Sequence, residues 1–183
     1  MMKNLFFPQP LYAPETLTGA RAKKKVIPVG HGYSGALYVC HGGYTLAANV
    51  EDGDIFELFY TPKNFLCLGG WLAGADIDTG TEALVMDLGW AANGGGSETV
   101  TDATDGRVYT NAGANASVNG LIDGDVWTGD ATSNSHGAGN MILVRLPTPL
   151  LFSRPTLIQL EAHTAANAGG TGALNVTLLG RII

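Results

Sequence analysis

Gly32-Tyr33-Ser34-Gly35-Ala36 comes close to the elbow that presents a nucleophilic serine. Ala36, however, stands where that motif ends in glycine, and the strand-like Leu37-Tyr38-Val39 follows where it needs a helix. Asp130, Ser135 and His136 are the residue types of an acyl-transfer triad. They are near neighbours on one Gly-rich stretch, which cannot fix the mutual geometry that such a triad requires. His31, Cys40 and His41 supply imidazole and thiolate, groups that suit zinc, but paired Cys-x-x-Cys or His-x-x-x-His spacing and a fourth ligand are missing. Asp76, Asp78 and Gly80 offer carboxylate oxygens to calcium without the third acidic position or the closing Glu of an EF-hand loop, so an Asx-type turn is the simpler reading. Asp102 to Gly106 and Asp123 to Asp125 also read as turns. The expectation is a protein that is not an enzyme, with no catalytic residue, no metal and no cofactor.

Non-covalent recognition has better candidates. Arg21, Lys23, Lys24 and Lys25 could meet phosphates, but the rest of the chain is acidic and has no phosphate loop or aromatic-basic interleaving, so no nucleic acid partner is expected. Together with Lys3, and against Glu15, these cations give residues 1–25 a net charge of +4, which leaves −10 for the remainder of a chain whose total is −6. A basic arm on an acidic body points to an acidic protein surface as its partner. Of the three tryptophans, Trp71 and Trp90 fall in apolar strand patterns and read as core. Trp127, near Asp125 and Asp130, is left as a candidate platform for stacking a sugar.

Composition bounds what carries these residues. At 183 residues one well-buried domain is the prior, and the 14% of charged residues falls well below the roughly 25% usual for soluble domains. A surface so short of charge suggests cover by neighbouring subunits. Leu5-Phe6-Phe7 is cut off by Pro8, with the basic cluster after it rather than before, so no secretory signal is expected, and the cytosol is the expected site of synthesis and residence. No run of about 18 apolar residues offers a membrane span. Cys40 and Cys67 lie in apolar strand-like runs and read as buried free thiols.

Pro8, Pro10, Pro14 and Pro28 prevent regular helix or central strand in residues 1–29, which read as an extended basic arm. From residue 35 onward period-two patterns dominate. In Thr81 to Trp90, Leu84, Met86, Leu88 and Trp90 share one face; Thr156 to His163 turns Ile158, Leu160 and Ala162 inward; Leu174, Val176 and Leu178 alternate near the C-terminus. Further strands are expected at Ala36 to Cys40, at Tyr44 to Ala47 after a His41-Gly42-Gly43 turn, at Asp54 to Tyr60, Asn64 to Ala73 and Met141 to Leu146. About eight strands punctuated by Gly, Asn, Asp and Pro predict an all-β, antiparallel, jelly-roll-like β-sandwich over residues 30–183, with a closed barrel as the other option. Residues 91–140, poor in apolar pattern, read as one long surface loop. A short hairpin or helix is allowed there around Arg107 to Tyr109 and Leu121 to Trp127.

Residues 54–90 carry a resemblance. Asp54 to Tyr60, the Thr61-Pro62-Lys63-Asn64 turn, the apolar Phe65 to Leu72, the Asp76-x-Asp78-x-Gly80 loop and the Leu84-x-x-Asp87-x-Gly89 strand together resemble small jelly-roll capsid cement or decoration proteins of tailed bacteriophages. The resemblance implies a virion structural protein on the outside of the phage head, assembled in the host cytoplasm, that bridges neighbouring major capsid protein subunits, as a trimer of itself. Leu5, Phe6 and Phe7 would then anchor capsid or neighbour contacts, and Arg21, Lys23, Lys24 and Lys25 would steer them. The competing expectation is a tail, fibre or head-tail adaptor component with a glycan-binding surface at Trp127.

Overall fold

The computed structural model describes residues 37–46, 50–74, 77–78, 83–126, 141–166 and 172–183. The arm at 1–29, the elbow-like Gly32–Ala36, and His31, Asp76, Gly80, Trp127, Asp130, Ser135 and His136 lie outside these residues.

Eleven strands follow in chain order among the described residues. They are β1 (Tyr38–Leu46), β2 (Ile55–Tyr60), β3 (Phe65–Gly74), β4 (Val85–Trp90), β5 (Thr99–Thr101), β6 (Val108–Thr110), β7 (Ser117–Val126), β8 (Met141–Val144), β9 (Leu150–Phe152), β10 (Leu157–Thr164) and β11 (Gly172–Ile182). The period-two patterns fold as they read. Met86, Leu88 and Trp90 of β4, Ile158, Leu160 and Ala162 of β10, and Leu174, Val176 and Leu178 of β11 are all buried in one core between two sheets. Each such Leu or Ile contributes roughly 1.5–3 kcal/mol by leaving water.

The first sheet has the order β1-β11-β3-β8, with β9 also on β3, and the second has the order β2-β10-β4-β7. Leaving aside β5, β6 and β9, the first strand pairs with the last, the second with the last but one, the third with β8 and β4 with β7, all antiparallel. That is one long hairpin wrapped upon itself so that successive pairs fall in facing sheets, a jelly roll. The all-β sandwich expected from the sequence is the fold observed.

Three local expectations are corrected. His41-Gly42-Gly43 is not a turn but the middle of the continuous strand β1. A Cβ at Gly42 would overlap the Phe59 ring, so glycine here lets β1 pass close across the edge of the second sheet. Residues 91–126 are more than surface loop: a β5–β6 hairpin lies where one was allowed around Arg107 to Tyr109, a 3₁₀ turn follows at Ala112–Ala114, and β7 brings Leu121 and Ile122 into the core. Asp123 to Asp125, read as a turn, is part of β7. The turn at Asp102–Gly106 is present, with Gly106 N–H donating to the Asp102 carbonyl, Thr104 N–H to the Asp102 carboxylate, and Gly106 at a positive φ of 72°.

Candidate interaction surface

The chemistry-bearing residues within the described chain are turned apart or occupied by structural work. Cys40 faces the core, while the adjacent His41 faces outward with Nδ1 2.8 Å from Thr177 Oγ1, so the two cannot converge on one metal ion. Cys40 and Cys67 are free and buried; desolvation, then mutual charge repulsion for Cys40, pushes both thiols up to about 12. β11 lies between their strands, and two strand spacings of about 4.8 Å put their Cα atoms beyond the ~7 Å reach of a disulfide. The Asp78 carboxylate accepts the backbone N–H groups of Ala83 at 2.6 Å and Leu84 at 2.8 Å, which fixes the entry to β4. Asp87, buried on the outward side of β4, lies 2.7 Å from Nε2 of His163 on β10.

Trp90 is core, as its pattern indicated. Its ring meets Phe152 edge-on at 5.3 Å, and its indole N–H donates to the Asn115 carbonyl at 3.0 Å. Trp71 is not. It lies half-buried on the outer face of the first sheet, directly opposite Leu143 of β8 and Thr177 of β11.

That outer face has two halves. In one, Leu66 and its cross-strand partner Leu151 are fully buried although neither belongs to the core between the sheets. The β5–β6 hairpin lies over this half, tied down by an Arg181 ion pair and by a bridge from Asn111 to Leu151. Arg181, opposite Leu66, pairs with Asp102, which is 1% exposed, and with Asp105 at 3.4 Å. At the root of the hairpin the Asn93 and Asn111 amides bond each other reciprocally at 3.1 and 3.0 Å, and Asn111 also accepts N–H groups from Gly113 and Ser153. Glu98 pairs with Arg154 and accepts the Ser153 hydroxyl; these bonds, the Arg154 one foremost, hold its carboxyl below the usual range.

In the other half no described element lies over the face. Leu143 is 50% exposed and Leu68, in a bulge of β3, is 47% exposed, with half-buried Trp71, Leu179 and Val39 alongside. A contiguous apolar strip on a sheet face is what an interaction site presents. Residue-by-residue chemistry misses this strip, yet a signal for it exists. Phe65 to Leu72 is apolar on both faces, and a strand apolar on both faces is one covered on both.

No protein-family model matches the sequence, and no curated protein matches it. Among solved structures, the chain resembles one in the cyanophage Pam1 capsid asymmetric unit, with a TM-score of 0.60 and 15% identity over 91% of this chain and 99% of that one. A chain in the capsid of Ralstonia phage GP4 matches with a TM-score of 0.49 and 16% identity over 86% of this chain and 92% of that one. At such identity the likeness to the Pam1 chain is one of fold.

Proposed function

We propose that this chain is a structural, non-catalytic component of a phage virion, and within it a cement or decoration protein on the outside of the head. It would be assembled in the host cytoplasm, self-associate as a trimer, and bridge neighbouring subunits of the major capsid protein. The observation that carries this reading is the near end-to-end match, in both directions, to a chain of the Pam1 capsid asymmetric unit. Support comes from exposed Leu68 and Leu143 beside half-buried Trp71 and from the low share of charge, both suited to a molecule whose faces are covered by neighbours. Attachment then works by avidity: one oligomer engages several lattice subunits at once, so modest contacts sum without new chemistry.

Co-sedimentation of the purified full chain with empty shells from its own phage tests this. Saturable binding at lattice stoichiometry, weakened at least tenfold by Leu143→Asp, is the expected result. Binding to isolated tails instead of shells would overturn the head assignment, and binding to neither would overturn the virion reading.

A further inference from the structure

We propose that the side of the sandwich where the free edges of β1 and β2 meet is the docking surface for residues 1–25 of a second copy of this chain. Among the described residues β1 pairs only with β11 and β2 only with β10, so each carries a row of backbone groups with no strand beside it. The two edges adjoin, with Gly42 against the Phe59 ring and the Tyr44 and Phe56 rings 5.2 Å apart. Large apolar side chains stay in water along this side: Ile55 is 55% exposed and Tyr60 53%, with Leu37 and Tyr44 also exposed. An edge flanked by exposed apolar groups is the arrangement that accepts an added strand.

Charge selects the occupant. The four strands of the second sheet contain no Lys or Arg. On the outer face of β2 and β10, Glu57 and Glu161 lie among Ile55, Tyr60 and Gln159, with Glu51, Asp52 and Asp54 just before β2. Residues 1–25 hold five of the ten Lys and Arg residues of the whole chain, together with Leu5, Phe6 and Phe7. Glu15 to Ile27 is free of proline and longer than the six residues of β2; as a strand it would set Arg21, Lys23 and Lys25 on one face, spaced to meet the carboxylates.

A second copy fits better than the chain's own body. The inference rests on the reading above, in which copies lie side by side, and bodies of charge −10 so placed would repel unless a cation lies between them. The arm joins β1 at Leu37, beside the β2–β3 turn, as the contact of the Tyr38 and Phe65 rings at 6.0 Å shows. Residues 26–36 span up to about 36 Å when extended, enough to carry the basic cluster to a neighbour. Exchange around a closed ring links every copy to the next, so the ordering cost of each arm is offset by contacts throughout the ring.

The test uses full chains without shells, so that it can fail or succeed independently of capsid binding. Unlabelled and ¹⁵N-labelled chains are refolded together and treated with a zero-length carbodiimide, and cross-linked peptides are identified by mass. The expected result is amide links between Lys23, Lys24 or Lys25 of one isotope and Glu57 or Glu161 of the other. In parallel, light scattering should show self-association weakened at least tenfold by Tyr60→Asp. Replacing Lys23, Lys24 and Lys25 together by Ala, which leaves the folded body unaltered, should weaken it equally. Links only within one isotope would mean the arm folds back on its own body and would overturn the proposal. So would a monomer at all concentrations, or an oligomer indifferent to both variants.

Discussion

At the scale of single residues, the two cysteines make a sharp prediction about pH. Burial raises both thiols from an ordinary value of 9.0 to about 12. Below pH 9 the folded and unfolded chains both keep these protons, and the associated stability is fully present. Between pH 9 and about 12 the unfolded chain releases two protons that the folded one retains, so stability falls as pH rises. Urea midpoints measured from pH 8 to 11 should decline, and Cys40→Ala should decline less steeply even if its stability at pH 8 is lower. Neither thiol should react with an aromatic disulfide reagent until the protein is unfolded. The burial of these thiols was legible in their apolar flanks. The placement of Trp71 was not, because inside an unbroken apolar run the alternation that separates core from surface carries no contrast.

At the scale of elements, the β5–β6 hairpin depends on a buried charge. Asp102 is almost wholly out of water, and Arg181→Met would leave it without that cation; loss of one partner of such a pair costs about 3–5 kcal/mol. Chemical denaturation of the variant should show a loss of this size, and proteolysis should begin near residues 99–110. β7 depends on close approach instead. A Cβ at Gly120 would overlap the Trp90 ring and one at Gly89 the backbone of Ser117 and Val118, so Gly120→Ala should cost about 1–3 kcal/mol by overpacking and loosen β7 from β4. These glycines explain why β7 was hard to read. Glycine and asparagine usually mark loops, yet here the glycines serve backbone proximity, Val118 is exposed, and the buried apolar residues described in the strand are Leu121 and Ile122 at its centre. The strands of regular alternation, β4, β10 and β11, were legible because one face of each meets the core and the other does not. β5, β6 and β9 are three residues each, too short for any period to register.

At the scale of the whole molecule, reading residues 1–29 as an extended arm makes them separable from the sandwich. Deleting residues 1–25 should leave a β-rich circular dichroism spectrum, while self-association and association with shells both weaken and the latter loses its dependence on salt. The architecture was legible from strand number and punctuation, whereas the wrapped pairing order was not, because partners in a jelly roll are set by which faces meet rather than by local sequence. That pairing order has a consequence for how the chain is made. Tyr38 lies opposite Gly180, with nearly the entire sandwich between them in sequence. The first sheet therefore cannot close on the ribosome until its last strand has emerged, and a fold with contacts this distant in sequence closes slowly. Through that interval β1 waits with both edges open, so the yield of native protein should depend on temperature and synthesis rate more steeply than its final stability suggests.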